Sequence, residues 1–166
     1  MLSPCRGFRP PAKQAFLMPS ENTFTWTDAY LLGFQPMDDT HREFVEVVNA
    51  MINAADADFA ACLAAFARHA ETHFEQERVW MEKTEFPARD CHNDEHAAVL
   101  KSVRDVMEVV ANGDVAEGRR LAEALMGWFP GHADYLDASL AQWMVKKSLG
   151  GAPIVLKRNV VVRDEA

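Results

Sequence analysis

Between residues 38 and 147 the apolar positions recur at three- and four-residue steps, the period of a helix with one buried face. The pattern predicts four helices. The first lies near 40–54, with Asp39 or Thr40 as its N-cap and Phe44, Val45, Val48, Met51 and Ile52 as its stripe. The second lies near 57–84, carries Phe59, Leu63, Phe66 and Ala70, and stops at Phe86-Pro87. The third lies near 90–111, is capped by Asp90, carries Val99, Val103, Met107 and Val110, and ends at Asn112-Gly113. The fourth starts at Asp114, reaches about Lys147 and carries Leu121, Leu125, Trp128, Leu136, Leu140 and Trp143. The connections are short, so neighbours should pack antiparallel. The expected fold is all-α, an up-down-up-down antiparallel four-helix bundle over residues 23–148. Residues 1–22 read as an irregular N-terminal arm, within which Met18 is a candidate translation start. Residues 149–166 read as a C-terminal tail whose IVL and VVV segments form a short strand, pack on the surface or stay disordered.

The apolar stripes carry polar interruptions. His41 lies three residues before Phe44, and His73 and Glu77 continue the second stripe. His92 and His96 open the third, and His132 sits within the fourth. One histidine on such a face is ordinarily a hydrogen-bonded core residue. Five of them and a glutamate, brought in from four helices, would each need a separate partner in a small core. A buried carboxylate without one is costly. A metal ion satisfies the whole set at once. Residues four apart on a helix have Cβ atoms about 5–6 Å apart, so His92/His96 can chelate one ion and His73/Glu77 can offer it a nitrogen and a carboxylate. Asp137 follows His132 by five residues, a turn of about 140° on a regular helix. Either it reaches sideways or the helix is distorted there, for which Pro130-Gly131 gives a reason.

Charge and cysteine content narrow the setting. A formal net charge of −8 argues against nucleic acid and anionic membrane as partners. No run approaches the roughly 20 apolar residues of a membrane span, and no secretory signal is evident. The three cysteines, Cys5, Cys62 and Cys91, are odd in number and form no C-x-x-C, which favours free thiols and a cytoplasmic location. Mixed imidazole and carboxylate donors suit iron, manganese or zinc. Zinc sites are commonly four-coordinate, fewer donors than these imidazoles and carboxylates together offer. The chain has neither H-E-x-x-H nor E-x-x-H, the marks of zinc proteases and ferritin-like di-iron bundles.

These elements, DDTH ending at His41, HFEQE at 73–77, HNDEH at 92–96 and HADYLD at 132–137, resemble the hemerythrins, and most of all the single-domain bacterial hemerythrins. The segment FTWTDAYLLGF, with Trp26 and Gly33, resembles the family's lead into the first ligand helix. The resemblance implies two non-haem iron ions. One is held by His92, His96 and His132, the other by His41 and His73, with Glu77, Asp137 and an oxo or hydroxo bridging them. It implies one open position, and dioxygen as what binds there. The pocket should be apolar, and Phe44, Phe74, Trp128, Phe129 and Ala133 are its candidates. Ala133 stands where the family more often has a larger aliphatic side chain, and Pro130-Gly131 is expected to interrupt the helix, so a roomier and wetter pocket is expected. His69 lies four residues before His73 and is expected to be solvent-exposed or at the bundle edge, with a place next to the ligands as the alternative. The first reading is an oxygen carrier, store or supplier. The alternatives are a di-iron peroxidase or oxidase, a nitric oxide scavenger, or an oxygen or redox sensor. An oxygen-consuming or signalling protein is the partner these readings imply.

Overall fold

A computed structural model describes residues 23–150; the expected arm, the Met18 start and the IVL and VVV segments lie outside them. The described residues form helices and no strand. α1 spans Gln35–Asn53, α2 Asp56–Lys83, α3 Arg89–Ala111 and α4 Val115–His132. A five-residue π-helical segment, Ala133–Asp137, carries α4 into α5, Ala138–Ser148. Right-handed helical dihedrals at Ala133 and Ala138 make these three pieces one rod. α1 packs on α2, α2 on α3, α3 on α4 and α4 on α1, a closed ring of four consistent with a four-helix bundle.

Three local expectations need correction. α1 begins at Gln35, not near residue 40, because Pro36 sits in the first turn, where a missing N–H costs nothing. Asp39 and Thr40 are therefore inside the helix and not its cap: Asp39 accepts from Arg42 Nη1 at 2.9 Å, and Thr40 Oγ1 donates to the Pro36 carbonyl at 2.8 Å. The carboxylate that shapes the entry is buried Asp38, which accepts the Leu32 and Gly33 amides at 2.7 and 3.1 Å. Gly33 turns there at φ +82°, a conformation that glycine adopts without strain. α3 likewise has Ala88 at its N-cap, while Asp90 lies in the first turn, where its charge favours the helix N-terminus. Finally, α4 runs through Pro130 without a break, and the irregularity comes after it as the π segment. Asp114 does cap α4, accepting the Glu117 amide at 3.2 Å.

The core has two apolar parts. The larger holds Phe44, Phe59, Leu63, Phe66, Val99, Val103, Leu121, Leu125 and Phe129; the smaller holds Met37, Met81, Phe86, Leu140 and Ala141. Along α1 and α2 the polar interruptions fall between these two parts, His41 between Met37 and Phe44, and Glu77 between Phe74 and Met81. The bundle is thus closed by hydrocarbon on both sides of one polar layer. The lead segment packs beside it: Phe24 and Tyr30 meet Phe129 edge-on at 5.8 and 5.4 Å, and the Phe24 amide donates to Asn49 Oδ1 at 3.2 Å. Cys62 is a free thiol; Cys5 lies outside the described residues. Among the described residues no helix is long and apolar enough to cross a membrane.

Where α4 crosses the larger apolar part, Gly118 leaves no room for a side chain. A Cβ there would meet Phe59 Cε1 at 2.2 Å and Val110 Cγ2 at 2.9 Å. Gly118→Ala is expected to lower unfolding stability by about 1–3 kcal/mol through this overpacking. Chemical denaturation checks it; an unchanged midpoint would show that the buried Phe59 ring can move aside.

Candidate metal centre

The seven residues singled out in the sequence meet in one buried cluster. His41, His73, Glu77, His92, His96, His132 and Asp137 are each at most 5% exposed. Helical spacing aligns His73 with Glu77 on α2 and His92 with His96 on α3. The π segment solves the problem of Asp137. Its wider turn bonds residues five apart, which carries Asp137 back to the face that His132 presents, and His132 Nε2 lies 3.2 Å from Asp137 Oδ1.

The two carboxylates divide their oxygens between two groups of imidazoles. Glu77 Oε1 faces His73 Nε2 at 2.9 Å and His41 Nε2 at 3.8 Å; its Oε2 faces His92 Nε2 at 3.2 Å and His96 Nε2 at 3.5 Å. Asp137 Oδ2 faces His41 Nε2 at 3.2 Å, while its Oδ1 faces His92 and His132 Nε2 at 3.0 and 3.2 Å. His96 and His132 turn their Nε2 atoms toward each other at 3.0 Å. Despite these distances His41 Nε2, His92 Nε2, Glu77 Oε2 and Asp137 Oδ1 have no hydrogen-bond partner: the atoms converge on common points and are not aligned in donor–acceptor pairs. Two sets, Glu77-His92-His96-His132-Asp137 and His41-His73-Glu77, each bring their donor atoms within 4.8 Å of one another. Orphaned, converging nitrogen and oxygen donors in a closed layer are what bound cations would satisfy, so the residues fit a metal site.

Charge confirms how tightly the groups are matched. Burial pushes the His41 ring down, but the carboxylates of Asp137 and Glu77 beside it more than reverse this and raise it to about 9. The same balance raises His92 to about 10. Burial drives Glu77 up, as does the charge of Asp137, yet the imidazoles of His73 and His41 hold it well below the usual carboxylate range. Asp137 is likewise held well below, burial being outweighed by His132, His41 and His92. His96 falls well below the ordinary imidazole range through burial, Glu77 pulling it up and the charges of His92 and His132 down.

The five expected pocket residues surround this layer on its side toward the larger apolar part. Phe74 stacks on His96 with centroids 3.8 Å apart, Phe129 meets His41 edge-on at 5.2 Å, Phe44 meets His73 at 6.2 Å, and Trp128 lies 4.3 Å from His132. Ala133 is fully enclosed next to His132.

Two residues depart from expectation. His69 is not at an open edge: its ring meets His73 edge-on at 5.6 Å, its Nδ1 lies 3.7 Å from Glu43, and its Nε2 is buried without a partner. Burial and the charges of His73 and His41 lower it to about 4. The spacing His69-His73-Glu77 placed it one turn further along the same row, which was the available signal. Glu95 went unnoticed because it lies beside His96 in sequence and off the apolar stripe. It is buried and accepts from His132 Nδ1 at 2.9 Å.

A chain whose described elements are all helices, with such a cluster in its core, is by class a metal-binding helical-bundle protein. Comparison with known proteins specifies it. The Hemerythrin HHE cation binding domain matches residues 32–143. The bacteriohemerythrin of Ralstonia nicotianae is 40% identical over 122 residues, 74% of this chain and 89% of that protein. No solved structure matches at a significant level. The chain belongs to the hemerythrin family, among the bacterial hemerythrins.

Near neutrality the metal-free chain holds protons on His41 and His92, since their values lie at about 9 and about 10. Both rings must lose a proton to offer Nε2 to a cation. Adding ferrous iron to the metal-free protein should therefore release protons near neutral pH, and apparent affinity should climb as pH rises toward those values. A dye-based proton count in weak buffer checks this; uptake without acidification would mean that the two rings are already neutral.

Proposed function

We propose that this protein binds dioxygen reversibly at a non-haem di-iron centre and acts as an oxygen carrier, store or supplier. In this reading His92, His96 and His132 hold one iron and His41 and His73 the other, with Glu77, Asp137 and a solvent-derived oxo or hydroxo between them. When bound, such a pair supplies two reducing electrons and a coordination position left vacant, the chemistry that dioxygen binding requires.

The observation that carries the reading is the division of the carboxylate oxygens. Each carboxylate presents one oxygen to the His41 side and the other to the His92 side, as a bridge between two ions demands. In this reading the chain would offer five donor atoms on the side of His92, His96 and His132 and four on the side of His41 and His73. The family membership and the bacteriohemerythrin relative support the same reading.

The chain's own residues favour binding over turnover. Phe44, Phe74 and Phe129 exclude water, which keeps a small apolar molecule from being displaced and limits proton access. His69 is the titratable group that contacts His73 from outside the set, and at about 4 it is neutral near neutrality. A dication nearby would lower it further. It is thus a poor acid for splitting a bound oxygen species, as a peroxidase or oxidase would require. The reading places the protein in the cytoplasm, next to an oxygen-consuming or signalling partner.

Metal analysis with an optical spectrum tests the centre: two irons per chain and near-ultraviolet oxo-bridge bands are expected. Mixing the reduced protein with oxygen tests the function: a colour that vacuum removes supports the carrier, whereas immediate oxidation with substrate turnover supports the enzyme. A finer expectation concerns Ala133, the first residue of the π segment, which would leave the pocket without a branched side chain at that position. Ala133→Ile should slow irreversible oxidation of the reduced protein in air several-fold, followed optically. An equal rate in both proteins would remove the role given to this position.

A further inference from the structure

Of the five imidazoles in the cluster, four have an outer nitrogen with nothing to hold it. His41, His73, His92 and His96 each bury an Nδ1 that has no hydrogen-bond partner. His132 differs. Its Nε2 faces Asp137 Oδ1 at 3.2 Å and the Nε2 of His96 at 3.0 Å, while its Nδ1 donates to Glu95 Oε2 at 2.9 Å. The Glu95 side chain is 10% exposed and that of His132 2%, so the bond is shielded from water. Glu95 is not one of the donors that converge on the cluster. It stands on α3 just before His96, one position round the helix, and reaches across to α4.

We infer that Glu95 is a positioning residue for the metal centre, which fixes the ring orientation and tautomer of His132 and makes its Nε2 a stronger donor. The inference rests on the di-iron reading of the site. Three features single out His132 for such support. It is the one imidazole supplied by α4, and its helix widens into the π segment at the very next residue, where regular backbone hydrogen bonding no longer fixes the side-chain direction. Ring contacts with Trp128 at 4.3 Å, His96 at 4.9 Å and His92 at 5.0 Å locate the ring but do not fix its tautomer. An imidazole free to exchange its two nitrogens would present N–H to the cation half the time, whereas a carboxylate accepting from Nδ1–H leaves the Nε2 lone pair facing inward. The negative charge behind the ring also raises electron density at Nε2 and favours the more oxidised metal.

The test compares wild type, Glu95→Ala and Glu95→Gln by anaerobic titration of metal-free protein with ferrous iron against a competing chelator. The reduction potential of the loaded proteins is measured alongside. Alanine should weaken iron binding by about 10–100-fold. Glutamine keeps the shape and can still accept from Nδ1–H, so it should recover most of that affinity while raising the potential, because it lacks the charge. A role confined to packing would lower the melting temperature of metal-free Glu95→Ala but leave the potential of Glu95→Gln at the wild-type value, and that result overturns the inference. So does wild-type iron affinity in Glu95→Ala. Should wild-type protein itself take up no pair of irons, the reading of the site fails first, and this inference with it.

Discussion

The structure depends on matching charge inside a dry layer. Two carboxylates and five imidazoles lie between apolar parts that exclude water from both directions. Each ion buried this way costs several kcal/mol unless it finds an opposite charge with good geometry. The side chains alone do not supply that geometry, since several donor atoms face common points instead of one another. The bundle is therefore arranged around cations that lower the cost of its own interior. The helix entry anchored by Asp38, the continuous rod through Pro130 and the aromatic stack on His96 all serve to keep donor atoms at fixed places in that layer.

Much of this was legible in the sequence. Four apolar stripes gave the helices because a one-face pattern at helical period has few other solutions, and the polar interruptions stood out against them. His73 with Glu77 and His92 with His96 could be placed together because four residues is a full turn. His41, His132 and Asp137 join these pairs through the packing of the helices and the widened turn before Asp137. What remained hidden depends on geometry that residue type does not encode. The start of α1 was misplaced because Asp39 and Thr40 look like caps, while the real determinants are Pro36 and a carboxylate that caps a preceding loop. The distortion near Asp137 was foreseen, but not its form or position: Pro130 drew attention, and the widening began at Ala133. Glu95 could not be distinguished from an exposed acid, since its burial depends on the neighbouring helix.

Phe129 links parts of the molecule that lie apart in sequence. It touches Phe24 and Tyr30 of the lead segment, stacks on Phe44 at 4.9 Å and meets His41 edge-on. The resemblance of FTWTDAYLLGF to the family's lead segment thus acquires a physical basis: its aromatics pack on Phe129, which meets His41. Arg42 lies over the Trp26 ring at 4.9 Å and fastens the segment to α1.

The widened turn at Ala133–Asp137 makes the fourth rod sensitive to spacing more than to identity. Asp134 and Tyr135 face solvent, Tyr135 at 63% exposure, so their side chains are open to exchange. Returning the stretch to regular helical pitch at its present length would swing Asp137 about 140° out of line with His132 and rotate α5 against its neighbours. Lineages descended from such a chain can therefore drift in the letters at 134 and 135 so long as the turn stays widened.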